Sequence, residues 1–151
     1  MTKPIVFLDF DGVLIVPSQK GFGLAQMRYL NRIWITTDCE FVISSTWRTT
    51  YSREELAAML YKAGLLTDAV VRDVTPSLTR FSPGGIAISA TRWQEIERWL
   101  RRYEVFCGEW CIMDDFCTGC PPEERYIECD GNIGLTSADA DRVIDILQGR
   151  L

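Results

Sequence analysis

The stretch Pro4-Ile5-Val6-Phe7-Leu8-Asp9-Phe10-Asp11-Gly12 decides how this chain is read. Its apolar run, Pro4 to Phe10, has the length of a buried strand and ends in two carboxylates and a glycine. A strand covered on both faces cannot keep charges along its length, so Asp9 and Asp11 belong at its carboxyl end, where the chain leaves the sheet. Period two puts both carboxylates on one side of an extended chain, and Gly12 allows a sharp turn after them. A second apolar run, Trp110 to Met113, ends the same way in Asp114-Asp115. Glu40 to Ser44 is a further buried strand, with Ser45-Thr46-Trp47-Arg48 as its polar exit.

Helices alternate with these strands. From Gly23 to about Trp34, residues Leu24, Met27, Leu30, Ile33 and Trp34 recur at helical spacing. Ser52-Arg53-Glu54-Glu55 has the spacing of a capping box, Leu56, Met59, Leu60 and Ala63 follow, and Gly64 closes the helix. Thr91 to Tyr103 is helical with a stripe of Trp93, Ile96, Leu100 and Tyr103, and Ser137 to Leu147 is a closing helix capped by Thr136 or Ser137. Ala69 to Val71 and Arg125 to Cys129 read as short strands. Asp73 to Ala90, with Pro76, Pro83, Gly84 and Gly85, reads as a long loop holding a small hairpin. This alternation predicts an α/β fold with a parallel sheet, in which ligands bind beyond the carboxyl ends of the strands. Asp9, Asp11, Ser44, Ser45, Asp114 and Asp115 all collect at that end.

Composition narrows the chemistry. At 151 residues the chain suits a single domain spanning 1–151. It contains no histidine, which removes His-based acid–base catalysis, Ser-His-Asp and Cys-His sites, and His metal ligands. A cysteine-phosphatase loop needs five residues between Cys and Arg, and the nearest pair, Cys120 and Arg125, has four. A net charge of −5 disfavours a broad electrostatic grip on nucleic acid, while leaving room for a local basic patch. Six cysteines without a signal peptide or an apolar span point to reduced thiols in the cytoplasm.

Four carboxylates at two strand tips repel one another unless a cation lies among them, and an all-oxygen donor set suits Mg²⁺. Mg²⁺ keeps positions for water and phosphate oxygens, so a phosphorylated substrate follows, with the hydroxyls of Ser44 and Ser45 able to hold another phosphate oxygen.

Asp9-Phe10-Asp11-Gly12-Val13-Leu14 resembles the first signature of the haloacid dehalogenase-like (HAD) superfamily of phosphohydrolases. Phe41-Val42-Ile43-Ser44-Ser45 and Cys111-Ile112-Met113-Asp114-Asp115 resemble its second and fourth elements, in the right order. Its third element, a lone Lys or Arg near the start of the helix before the fourth strand, is matched best by Arg92, with Arg80 in reserve. The resemblance implies a three-layer Rossmann-like parallel sheet with helices on both faces. It also implies that Asp9 is a nucleophile forming an aspartyl phosphate and Asp11 a general acid and base. Mg²⁺ would then be held by Asp9, the Asp11 carbonyl and Asp114 or Asp115, with Arg92 neutralising the phosphoryl group. Either Ser44 or Ser45 takes the phosphate-binding role, with Ser45 preferred; Thr46 and Arg48 are further candidate substrate contacts, Arg48 alternatively a salt-bridge partner.

The segment Val13 to Cys39 is too short for a full cap, and the Ser-Ser-Thr-Trp-Arg exit is similar to that of small capless members, among them polynucleotide-repair phosphatase domains. The expected function is therefore a Mg²⁺-dependent phosphomonoesterase acting on a nucleotide or polynucleotide phosphate end, without an obligate protein partner. A catalytically idle module binding phosphorylated ligands or a protein is the alternative, and transfer to an acceptor other than water would use the same residues. Trp47, Trp93 and Trp99 are expected to pack rather than stack on bases. Cys117 and Cys120, with Cys107 and Cys111, have irregular spacing for zinc, and a redox-responsive Cys117/Cys120 pair stays open.

Overall fold

In a computed structural model, which describes residues 2–105 and 108–150, the chain folds as a five-stranded parallel sheet with helices on both faces and no cap. The order of elements is β1 (Ile5–Leu8), α1 (Leu24–Thr37), β2 (Glu40–Ile43), α2 (Arg53–Ala63), β3 (Val70–Val74), β4 (Arg80–Phe81), β5 (Ala87–Ile88), α3 (Arg92–Arg102), β6 (Trp110–Asp114), β7 (Tyr126–Glu128) and α4 (Ser137–Leu147). The sheet runs β3-β2-β1-β6-β7, and β4 and β5 form a separate antiparallel hairpin between β3 and α3.

Alternation along β1 builds two cores. Val6 and Leu8 join Met27, Leu30 and Ile33 of α1, Leu56 and Leu60 of α2, and Val143 and Leu147 of α4. Ile5 and Phe7 point the other way, onto Ile96, Trp99 and Leu100 of α3, with the Phe7 and Trp99 rings edge to face at 5.5 Å. Among the described residues, three helices thus cover one face and α3 covers the other.

The capping box of Ser52 and Glu55 starts α2 as expected; Thr91 with Gln94 and Thr136 with Asp139 make the same reciprocal pair at α3 and α4. Several boundaries differ from the sequence reading. β1 stops at Leu8, because the Phe10 carbonyl accepts from the amides of Val13, Leu14 and Ile15 and so bends the chain. α1 runs on to Thr37, where Asp38 adopts a left-handed conformation and returns its N–H to Trp34; Leu24 is exposed rather than inward. β3 extends to Val74 through a register shift opposite Phe41 and Val42. On α3 the buried stripe passes through Trp99, while Tyr103 lies at the surface.

Candidate active site

The parallel register places the carboxyl ends of β1, β2 and β6 side by side. Leu8 pairs with Ile43 and with Met113, and the next amides continue the ladder, Ser44 donating to Leu8 and Asp9 to Met113. Asp9 and Asp114 are consequently buried neighbours, and Asp115 completes a group of three carboxylates whose ligand atoms lie within 4.8 Å of one another. Asp115 rests against Gly12 and Gly131, and a Cβ on Gly12 would collide with its carboxylate. Gly12 also has φ of +80°, so both backbone conformation and space require glycine there.

Arg92 opens α3 and reaches across to this group. Its Nη1 lies 2.9 Å from Asp114 Oδ2 and 3.7 Å from Asp9 Oδ1. Thr118, in the loop after β6, fixes that helix start: its hydroxyl accepts from the Arg92 amide and its carbonyl from the Trp93 amide. Arg80, the other candidate, stands on β4 and borders a different cavity, so Arg92 is the arginine of the cluster. Asp9 also accepts from the Phe10 amide, and Asp114 from the Phe116 amide.

Burial, and then the adjacent Asp114 charge, push the Asp9 carboxyl from 3.8 up to about 8, with Arg92 opposing the rise. Asp114 is likewise raised, mainly by burial. Asp9 and Asp114 share the Arg92 guanidinium, and burial keeps protons on both to a higher pH than an exposed carboxyl would hold them. A divalent cation would relieve both the desolvation and the repulsion, and an all-oxygen donor set fits a hard ion.

The Asp11 carboxylate stands outside this cluster and accepts a hydrogen bond from Trp47 Nε1 at 2.9 Å. Trp47 is held there by Phe10, Phe22 and Tyr51. Sequence reasoning assigned Trp47 only a packing role, since nothing in the order of residues reveals where an indole N–H points. Ser45 Oγ accepts from the Trp47 amide and caps a short 3₁₀ turn, Thr46–Thr49. Ser44 is fully buried beside Asp9, and its hydroxyl has no hydrogen-bond partner among the described residues.

Arg48 takes the salt-bridge side of its two expected roles. Its five N–H donors are matched to five acceptors: the carbonyls of Ser44, Ser45, Thr75 and Pro76, and Glu95 at 2.7 Å. With side-chain exposures of 5% and 9%, Arg48 and Glu95 form a buried strut under the site. Glu95, which the sequence did not single out, also accepts from the Leu78 amide and so ties the segment after β3 to α3. A cleft of about 240 Å³ opens beside Arg92, walled by Thr46, Ser77, Thr79, Ser89, Phe116 and Thr118.

The cysteines form no metal site among the described residues. Cys111 and Cys117 belong to the cores on opposite faces of the sheet, and burial pushes the Cys117 thiol up to about 12, away from thiolate chemistry. Cys107 lies outside the described residues. Trp99 is core, and Trp93 stacks on Trp110. No helix among the described residues is long and apolar enough to cross a membrane.

A capless parallel sheet with carboxylates at the tips of β1 and β6, an arginine at the start of the preceding helix and serines at the tip of β2 defines a HAD-like phosphohydrolase domain. More narrowly, the chain belongs to the family described as the HAD domain in Swiss Army Knife RNA repair proteins, whose family model matches residues 5–140. No curated protein and no solved structure matches it.

Proposed function

We propose that this chain is a Mg²⁺-dependent phosphomonoesterase that removes a phosphate from a nucleotide or polynucleotide end through an aspartyl-phosphate intermediate. The observation that carries the reading is the Asp9, Asp114 and Asp115 cluster with Arg92 seated on two of its members. Such a set has no use in packing, because it buries like charges against one another; it suits a dianionic phosphate brought in with a metal ion. The family description, which concerns RNA repair, supports a nucleic-acid phosphate as substrate.

In this mechanism an Asp9 carboxylate oxygen forms a bond to phosphorus as the bond to the leaving alcohol oxygen breaks, and Asp11 gives that oxygen a proton. Asp11, now a carboxylate, takes a proton from the water that attacks phosphorus; the bond to Asp9 breaks, releasing inorganic phosphate. Arg92 neutralises the phosphoryl oxygens in flight, and the Ser44 and Ser45 hydroxyls are donors available to them. Asp9, Asp114, Asp115 and the Asp11 carbonyl would hold Mg²⁺, which supplies charge stabilisation at the phosphoryl group.

Hydrolysis of an aryl phosphate, with and without Mg²⁺, tests the reading. Turnover should require Mg²⁺ and fall about 10⁴-fold or more in Asp9→Asn purified identically. Equal turnover by Asp9→Asn would remove Asp9 as nucleophile.

A further inference from the structure

The hairpin β4–β5 and the outer face of α3 enclose a second cavity, of about 430 Å³, within the range of small-molecule sites. It shares Ser89 and Ala90 with the cleft beside Arg92, so the two spaces adjoin at those residues. Three arginines border it, Arg80 from the hairpin and Arg98 and Arg101 from α3, against the single carboxylate of Glu97. Glu97 is taken up by Arg101 one helical turn away. Arg80 and Arg98 are exposed and have no acidic partner among the described residues. Most arginines of this acidic chain are paired, several in buried or bidentate arrangements, so two unpaired ones facing a single cavity next to the phosphate cleft stand out in chemical terms.

On the hairpin, Arg80 and its cross-strand partner Ile88 line the cavity, while Phe81 alternates to the opposite face. Arg98 also borders the next cavity along α3, where Arg102 stands with it against the one carboxylate of Asp73.

We propose that the cavity between β4–β5 and α3 is a subsite for the phosphate next to the one attacked. It would direct the protein to a phosphate end carried on a single polynucleotide strand, with Arg80 and Arg98 gripping the backbone. This rests on the function proposed above. A substrate with one phosphate fills only the cleft at Arg92; a strand fills both spaces, which makes Arg80 and Arg98 determinants of specificity rather than of chemistry.

The test uses the full chain and two substrates, an aryl phosphate and a short single-stranded oligoribonucleotide bearing a terminal phosphate, with both 3′ and 5′ ends tried. In Arg80→Ala/Arg98→Ala, the ratio of kcat/KM for the oligonucleotide to that for the aryl phosphate should fall about tenfold or more, mainly through KM. Binding of the labelled oligonucleotide to Asp9→Asn should weaken with salt. Adding the two alanine substitutions should lower the slope of log affinity against log salt by about 1.4, the value for two contacts on a single strand. Arg80→Lys/Arg98→Lys, which keeps the charge, should restore most of the slope. An unchanged ratio and slope would overturn the subsite, as would the same arginine dependence on an acidic phosphopeptide. Failure of the wild type to hydrolyse the aryl phosphate would instead count against the phosphatase reading, while the salt slope would still report on the subsite.

Discussion

Trp47 donates its indole N–H to the Asp11 carboxylate at 2.9 Å, joining the tip of β2 to the loop after β1. The indole holds one oxygen of that carboxylate in place. Trp47→Phe keeps most of the packing against Phe10 and Phe22 and deletes the donor. The expected result is a drop in kcat of about tenfold, with a larger loss on an alkyl phosphate, whose leaving oxygen needs a proton, than on an aryl phosphate. Equal losses on both would make Trp47 a packing residue only.

The carboxyl of Asp9 ionises near 3.8 when exposed and near 8 in the folded protein, so between those values the folded state binds more protons than the unfolded one. Its contribution to stability is fully present below about pH 4 and is lost as pH rises towards 8. Without divalent metal, Tm should therefore decline across that window more steeply for the wild type than for Asp9→Asn, which has no proton to lose there. Mg²⁺ should raise the Tm of the wild type most at pH 8. Thermal melts of both proteins from pH 4 to 8, with a chelator and then with Mg²⁺, check the sign.

Glu95→Ala leaves the nearly buried Arg48 guanidinium without its carboxylate. Breaking a buried pair from one side costs about 3–5 kcal/mol, so denaturant melts should show a loss of that order. Replacing both partners, as in Arg48→Met/Glu95→Leu, should recover a large part of it. A loss below about 1 kcal/mol for the single change would show that the strut is wetter than its 5% and 9% exposures indicate.

Gly12→Ala meets two obstacles, a left-handed backbone and the Asp115 carboxylate. The backbone cost alone is about 1–2 kcal/mol. Displacement of Asp115 should also raise the Mg²⁺ concentration needed for half-maximal turnover, which a metal titration reads directly.

The central strands, their order of carboxylates and the first capped helix were legible because burial on both faces leaves an unmistakable apolar run, and Ser52 announces a helix start by its spacing to Glu55. Membership of the HAD superfamily followed from the same residues and agrees with the family match. Less legible were features that depend on where a side chain points once the chain is packed. The engagement of all five Arg48 donors, the Glu95 strut and the Trp47 bond to Asp11 join segments distant in sequence, and no periodicity encodes them. The end of β1 was misjudged because Asp9 and Phe10 look like strand residues until the Phe10 carbonyl gathers three amides. Tyr103 and Trp99 exchanged places in the α3 stripe because helical spacing admits either.

The sheet order β3-β2-β1-β6-β7 has a consequence for biosynthesis. The first strand to leave the ribosome is the middle of the finished sheet, and one of its edges waits for β6, which is made only after α3. Until Trp110–Asp114 emerges, Asp9 has no Asp114 beside it and Arg92 lacks the Asp114 oxygen that seats it, so a nascent or truncated chain carries the proposed nucleophile in inert form. The same interval leaves an apolar strand edge bare, open to pairing with another chain. Premature termination before β6 should thus yield aggregation rather than a partial enzyme.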